Sequence, residues 1–523
     1  MIDMMIFSLV TKQFEKRRKV RLKFINKGYR KLKKENKLST LAELRDVLTK
    51  TKLNNINLFS ESKFSMELSF RQFLTENFLS LSFNESILYS IGANKPLRHP
   101  LPKEWQIRLI SKNVNIDVLS STLLWYFYCF LYWGKGVLYG VKSICFLLKR
   151  SPKLGRHAYF NSINSNCISS DIDKYNIINW YVKWRNSSER LDSICHSVDV
   201  TPNFSLGEVN IVLTDGLPQV RKFKLLQYFL LLVCLSVYGL FSLFFRSFYS
   251  CFLEEVLKFK RANLANPEDF ARDYLFHNSQ PFYRPIWTYL AEKHSSRILF
   301  YFYSTNVEVF KTENYDLIQN PWHLISWPHY LVWDKFQVDF IERLDSHNSI
   351  IEEVGEIWFS SSEKSIDIPA ESIAVFDVSP SRPTFYITLG LSLDYYNYDI
   401  SNQFLSNIQS VLNDNNFNML HKVKRFSNIQ HKKYLRRMKL MRKKNNYIKV
   451  HPSQDARQII QKTQACISMP FTSTALIAKN QGKPSVYYDP SGITCKDDNA
   501  AHGIKILTNI DELKEWVGSL RDE

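Results

Sequence analysis

The sequence predicts an α/β fold of two Rossmann-like halves facing a cleft, and three observations predict it. First, residues 446–489 read NYIKVHPSQDARQIIQKTQACISMPFTSTALIAKNQGKPSVYYD. Three short apolar runs there, Tyr447–Val450, Ala465–Ser468 and Ser485–Tyr488, alternate with helix-like segments at 455–463 and 472–480. That spacing is the mark of parallel strands joined by crossover helices. Second, another αβ run begins at Ile373 (IAVFDVSPSRP) and continues to Lys422. Third, 523 residues are too many for one hydrophobic core.

Taken in order, residues 1–80 are basic and helix-like, with a polar break near 54–62. Short strands are expected at 87–91, 107–110 and 114–118, around the Pro-bounded loop HPLPKEWQ at 99–106. An apolar block follows, then a helix at 177–184 and a strand at Val209–Leu213. ILFYFY at 298–303 is a buried strand ending in Ser304 and Thr305. Residues 322–340 are rich in aromatic side chains, and 357–360 is a further strand candidate. Ser360 to Ala370 has the composition of a linker. Beyond it come the strand at 373, the segment 385–389, a helix at 402–412, a strand at 417–422, a basic helix at 430–444 and a last helix at 511–520. The implied domains are 1–80, a first αβ half over 81–360 with apolar helical insertions at 118–148 and 225–255, and a second half over 371–523.

The net charge of +19 is concentrated rather than spread. Residues 12–34 hold twelve Lys or Arg and one Glu; residues 421–449 hold twelve and no acid. A hydrophobic content of 45% excludes a disordered chain. Zinc-finger, RRM and KH signatures are missing, which argues against nucleic acid as a partner. Polybasic segments beside apolar helices suit an anionic membrane surface instead. The eight cysteines form no CxxC pair, as expected of reduced thiols in a cytosolic compartment. The basic N-terminus has no apolar core after it and is not a cleavable signal peptide.

Leu225–Phe245 runs 21 residues without a charge, long enough for a span. Residues 118–134 are apolar and rich in Trp and Tyr, the side chains of membrane interfaces. Every flank of both segments is basic, so two full crossings would export a cationic loop. The sequence therefore favours helices that dip into or lie on the cytoplasmic leaflet of the inner membrane, over two spans or buried core helices.

In open parallel sheets ligands bind outside the carboxyl ends of the strands. Those ends carry His451-Pro452-Ser453 and Pro470-Phe471-Thr472-Ser473-Thr474. A His at a strand mouth can donate to a phosphate or ribose oxygen, although a His packed in a turn is the plainer reading. One of the hydroxyls at 472–474 is explained as a helix cap; three together better match a phosphate seat. Lys422, Lys424 and Arg425 follow another strand end, either as a solvated charge run or as neutralisers of a departing phosphate. The expectation is that the turns at His451 and Ser473 lie side by side at the top of one sheet. Asp215, Glu308, Asp334, Glu356 and Asp377 are candidate acids or bases, and the sequence does not choose among them. No metal signature and no Gly-rich dinucleotide or P-loop fingerprint is present.

Together, HPS at 451–453, ISMPFTSTALIAKNQGKPSVYYD at 467–489, KVKR at 422–425 and YRPIWTYLAEKHSSRILFYFYSTN at 283–306 resemble the bacterial surface polysaccharide biosynthesis proteins named for their PFTS motif. The layout also resembles GT-B glycosyltransferases that use CMP-activated sugars, the sialyl- and Kdo-transferase type. That resemblance implies a GT-B-like fold and metal-independent transfer without a cofactor. It implies that His451 and Pro452 contact the nucleotide, and that Ser473 with Thr472 or Thr474 holds its phosphate. The acceptor implied is a growing surface polysaccharide or lipid-linked glycan at the cytoplasmic membrane face. The acidic loop that supplies the base in such enzymes has no counterpart here. A nucleotide-sugar epimerase and a non-catalytic membrane adaptor are the alternative readings.

Overall fold

The computed structural model describes residues 2–53, 66–148, 158–163, 177–185, 193–197, 204–206, 209–279, 281–305, 307–308, 310–311, 322–344, 349–357, 367–381, 384–388, 394–423, 430–452 and 454–521. The chain begins with a helical layer: α1 (Ile2–Lys34), α2 (Thr40–Thr49), α3 (Met66–Phe78), α4 (Leu81–Ala93), α5 (Lys103–Ser111) and α6 (Val118–Leu148). Two glycines let α1 and α4 cross backbone to backbone. A Cβ built on Gly28 would lie 2.0 Å from the Leu88 carbonyl oxygen, and one on Gly92 2.0 Å from that of Phe24.

The first αβ lobe contains β1 (Ala158–Phe160), α7 (Ile177–Arg185), β2 (Ser193–His196), β3 (Phe204–Leu206) and β4 (Val209–Leu213). Three helices then leave the sheet: α8 (Leu225–Phe245), α9 (Ser247–Cys251) and α10 (Leu253–Leu264). The lobe resumes with β5 (Asp273–His277), α11 (Thr288–Lys293), β6 (Arg297–Tyr301), β7 (His329–Val332), α12 (Lys335–Leu344) and β8 (Ile350–Glu353). Its strand order is β3-β4-β2-β1-β5-β6-β7-β8, parallel except for β3. The second lobe contains β9 (Ser372–Phe376), α13 (Phe385–Thr388), α14 (Tyr398–Asp414), β10 (Asn418–Lys422), α15 (Lys432–Met441), β11 (Tyr447–Val450) and α16 (Ala456–Lys462). It ends with β12 (Ala465–Ser468), α17 (Thr474–Asn480), β13 (Ser485–Tyr488), β14 (Lys505–Leu507) and α18 (Ile510–Ser519). Its order, β11-β10-β9-β12-β13-β14, is parallel throughout. Strands β5, β9 and β12 are buried at every position, as expected of parallel strands covered on both faces.

The two-lobed α/β architecture is therefore as expected, and the three strands of 446–489 have the expected limits. Several local expectations fail. Residues 87–91 and 107–110 lie in helices α4 and α5, whose buried residues recur at helical spacing, Phe83 with Ile87 on α4 and Trp105 with Leu109 on α5. Residues 114–118 form only an isolated bridge from Ile116 to Leu97 before α6 starts. Segment 385–389 begins as the short helix α13. Sheet structure in the first half thus starts at Ala158, and residues 81–148 belong with the helical layer. Residues 358–366, holding most of the expected linker and strand at 357–370, lie outside the described residues. Among the described residues α8 is the one helix long and apolar enough to cross a membrane, with 28% of its most apolar stretch buried.

Candidate functional site

The carboxyl edges of the two sheets face each other. The turn after β6 touches the turn after β12: Ser473 Oγ accepts from the Thr305 backbone N–H and from Thr305 Oγ1, each at 3.0 Å. The turn after β7 meets the loop that precedes β14, where Asp334 Oδ2 lies 2.7 Å from His502 Nδ1. Lys311 donates its backbone N–H to Asp498 at 2.7 Å, and Phe310 packs 5.0 Å from Phe471. Strand order reverses between β1 and β5 in one sheet and between β9 and β12 in the other. Such switch points open a crevice at the carboxyl edge.

Around the ends of β1, β2, β5 and β6 the first lobe's edge is rich in hydroxyls and amides, while Asp215 and Asp334 follow β4 and β7. Ser162 N–H donates to Ser197 Oγ at 2.8 Å, Asn278 Nδ2 donates to Ser304 Oγ at 3.3 Å, and the Ser279 and Tyr303 hydroxyls lie 2.7 Å apart. His277 ties these turns together. Its Nδ1 accepts from the Ser279 N–H at 3.2 Å, which leaves Nε2 protonated to donate to the Ser162 carbonyl at 3.2 Å. Burial lowers the pKa of this imidazole and keeps it neutral. With both nitrogens engaged, His277 positions the loops.

The second lobe's edge carries charge. Ser473 stands at the N-cap of α17 but makes no capping bond, because its hydroxyl turns across the crevice to Thr305. Thr472 Oγ1 donates to the Met469 carbonyl at 3.1 Å, and Thr474 Oγ1 lies 2.9 Å from Ser468 Oγ. Tyr487 and Tyr396 brace the same turn, donating to the carbonyls of Thr472 and Pro470 at 2.8 Å each. Lys422 ends β10 half-buried; desolvation lowers its pKa, and nearby Asp455 acts in the opposite direction. His451 and Pro452 follow β11, with His451 exposed. Ser453, Lys424 and Arg425 lie outside the described residues.

His451 and Ser473 share one end of one sheet, but they are not side by side. Strands β10 and β9 stand between β11 and β12, a separation of roughly 14 Å at ordinary strand spacing. The alternation of strand and helix at 446–489 made these turns consecutive in sequence. The earlier strands β9 and β10 took the intervening places in the sheet. Two turns so spaced cannot grip one phosphate, although they can address the two ends of a nucleotide.

Each candidate acid or base sits in a pair. Asp215 pairs with Arg261, whose side chain is fully buried, and Glu308 pairs with Arg343. Glu356 lies 2.7 Å from Arg457, and burial raises the pKa of its carboxyl group. Asp377 accepts from the Tyr434 hydroxyl at 2.6 Å; its other oxygen is 3.1 Å from His421 Nε2, close enough to pair but poorly aligned as a hydrogen bond. Tyr447 completes this buried cluster through His421 Nδ1 at 2.9 Å. Two of these acids reach a partner on the second lobe: Asp334 meets His502, and Glu356, just past β8, meets Arg457 of α16. No group of three or more metal-ligating side chains occurs among the described residues.

Sequence reasoning missed His502, His277, Asn278 and Asp498. Thr305 was legible as a strand end after ILFYFY but not as the partner of Ser473. His502 adopts a left-handed φ of 53° after a single 3-10 turn, and no local pattern marks it.

The fold and crevice define a two-lobed α/β protein whose opposed sheet edges form one site. A profile of the family described as polysaccharide biosynthesis PFTS motif protein matches residues 238–517, more than half of the chain. The chain belongs to that family, and its motif is Pro470–Ser473. No curated protein matches the chain in sequence. Among solved structures it is similar to a UDP-glucosyltransferase from Polygonum tinctorium, with 9% identity, a TM-score of 0.34, and coverage of 71% of this chain and 90% of that one. It is also similar to an α,α-trehalose 6-phosphate synthase from Burkholderia multivorans (10%, 0.36, 70% and 90%). A third is a UDP-GlcNAc 2-epimerase from Methanocaldococcus jannaschii (8%, 0.38, 70% and 93%). The fold assignment rests on the two sheets themselves, not on these matches.

Proposed function

We propose that this protein is a glycosyltransferase that moves a sugar from a nucleotide-activated donor to a growing surface polysaccharide or lipid-linked glycan. The observation that carries the reading is the contact of two opposed carboxyl edges at Thr305 and Ser473, one rich in hydroxyls and amides around β1, β2, β5 and β6, the other carrying Lys422 and the hydroxyls of Thr472, Ser473 and Thr474. Neutral donors and acceptors suit the many hydroxyls of a glycan. An amine and hydroxyls suit a nucleotide phosphate, whose negative charge grows as the anomeric C–O bond breaks. The acceptor hydroxyl oxygen forms the new bond to the anomeric carbon as the bond to the donor phosphate breaks, and its proton passes to the departing phosphate or to solvent. In this reading the nucleotide lies across the strand ends of the second lobe. Its base points toward His451 and Pro452, and its phosphate toward Lys422 and the hydroxyls of Thr472, Ser473 and Thr474. CMP is the first nucleotide to test, because it is the one the His-Pro and Ser/Thr pattern implies. Donor binding would replace Thr305 as the partner of Ser473, so the lobes must part slightly to admit it.

The test is thermal stabilisation by CMP, UDP and GDP, followed by a transfer assay. Stabilisation by one nucleotide is expected. Ser473→Ala and His451→Ala should each reduce transfer at least tenfold (about 1.4 kcal/mol) while the protein stays folded. No stabilisation by any nucleotide, or full transfer in both variants, would remove the proposal.

A further inference from the structure

Helices α6 and α8 run antiparallel. Leu147 shares a small cluster with Tyr228, Gly140 meets Leu232, Trp133 Nε1 donates to the Ser236 carbonyl at 2.9 Å, and Trp125 Nε1 donates to Ser247 Oγ at 2.7 Å. Each helix buries one stripe: Trp125, Cys129 and Leu147 are buried on α6, and Tyr228, Leu232 and Leu243 on α8. The opposite stripes are no less apolar. Leu123, Phe127 and Leu138 on α6, and Leu230, Val237 and Phe241 on α8, are each between 50% and 66% exposed. Both helices rest on α9 and α10, so both outward stripes look away from that support. A continuous apolar face of this extent is foreign to a water-facing surface.

The support explains how a bilayer would meet this face. Helix α10 carries charges against the middle of α6: Glu254 lies 3.0 Å from Lys135 and 2.8 Å from Lys258, and the Lys258 ammonium sits over the Tyr139 ring at 5.4 Å. Further along, Arg261 lies over Phe146. Helix α3 backs the other half of α6, with Phe78 5.5 Å from Trp125 and Asn77 accepting from the Tyr132 hydroxyl at 3.0 Å. Were α6 and α8 to cross a membrane, this network and α3 would be carried to the bilayer's middle, where each charge is costly. With the helices parallel to the surface, the same groups stay on the watery side. The ends fit that orientation: Arg221 and Lys224 precede α8 and Arg246 follows it, while Lys142 is exposed on α6. These cations match anionic headgroups.

We propose that α6 and α8 lie flat in one leaflet of an anionic membrane, outward stripes toward the acyl chains, as a two-helix monotopic dock. The inference does not depend on the transfer reaction. It also resolves the conflict in the sequence, where every flank is basic: a dock in one leaflet exports no loop.

The test uses the full chain, purified in detergent and moved to vesicles of phosphatidylcholine with or without phosphatidylglycerol. Cys234 is exposed near the middle of α8, and with Cys145→Ser, Cys167→Ser and Cys495→Ser it becomes a labelling site, the remaining cysteines being buried. A fluorophore there should be quenched more strongly by nitroxide near the headgroup than by nitroxide at the chain end. The reverse order would show a spanning helix and overturn the proposal. Leu230→Glu with Phe241→Glu, both on the outward stripe, should weaken vesicle binding about tenfold or more without lowering Tm. Vesicle binding that ignores phosphatidylglycerol and survives both substitutions would also overturn it. So would a concentration-dependent dimer that fails to bind vesicles, because a second copy would then be what covers the face.

Discussion

The two edges of the crevice are built from the same backbone pattern and differ in chemistry. On the first lobe, Ser162, Ser197, His277, Asn278, Ser279 and Tyr303 form a net without a formal charge. On the second, Asp377, His421, Tyr434 and Tyr447 form a buried cluster of ionisable side chains at the strand ends, and Lys422 sits beside them. A neutral edge can exchange its bonds for those of a polyhydroxyl ligand at little net change in free energy. A charged edge must keep its internal pairs intact, or the buried charge is left alone. The difference is between an edge whose hydrogen bonds can be exchanged and one whose buried pairs must stay intact.

The sharpest way to break this contrast is at Asp377. Asp377→Ala removes the acceptor of the buried Tyr434 hydroxyl and the carboxylate facing His421, and it should cost about 2–3 kcal/mol of stability in urea unfolding. A loss below about 1 kcal/mol would mean that the charged edge does not hold the second lobe. Next comes Asp215, whose carboxylate is about one-third exposed while its partner Arg261 is fully buried. Because solvent screens that carboxylate, Asp215→Ala should cost about 2 kcal/mol, with transfer retained in protein kept below its lowered Tm. Abolished transfer at unchanged Tm would instead make Asp215 a catalytic residue.

A finer comparison sets the two partners across the crevice against each other. If Ser473 serves the donor phosphate, Thr305→Val removes one of its two bonds across the crevice, keeps the backbone N–H bond, and leaves nucleotide affinity equal or higher, whereas Ser473→Ala lowers affinity about tenfold. Equal effects from the two variants, measured by titration calorimetry, would reduce Ser473 to a fastener between lobes. The smallest expected effect is on pH dependence. Burial lowers the pKa of His277 relative to the unfolded chain, so its contribution is fully present above the unfolded value near 6.5 and is lost as pH falls below it. His277→Gln should therefore flatten the fall of Tm on acidification below about pH 6.5. An unchanged slope would mean that His277 does not need to stay neutral.

Legibility followed contact range. Strands β11, β12 and β13 could be read with correct limits because each is a short apolar run closed by Pro, Gly or an acid at parallel-sheet spacing. Strands β1, β2 and β3 are about as brief, at three to four residues, but lack the regular strand–helix spacing that marks 446–489. The isoleucine-containing stretches of α4 and α5 passed for strands because β-branched residues raise strand propensity, although the surrounding buried residues recur at helical spacing. His451, Lys422 and the hydroxyls at 472–474 were visible as polar strand ends. His277 and His502 were not, since their roles come from Ser162, Ser279 and Asp334, the last of these 168 residues from His502.

By itself the chain determined local matters: which segments alternate as strand and helix, where polar turns close them, that two long segments are strongly apolar, and that positive charge is clustered. These follow from side-chain patterning over a few turns or pleats. Only the tertiary structure decided that β9 and β10 separate the two expected turns, that Ser473 reaches Thr305 instead of capping its helix, and that α10 puts charges behind α6. Strand order and cross-lobe pairing are set by burial and hydrogen bonding between residues far apart in sequence, and no local pattern encodes that choice.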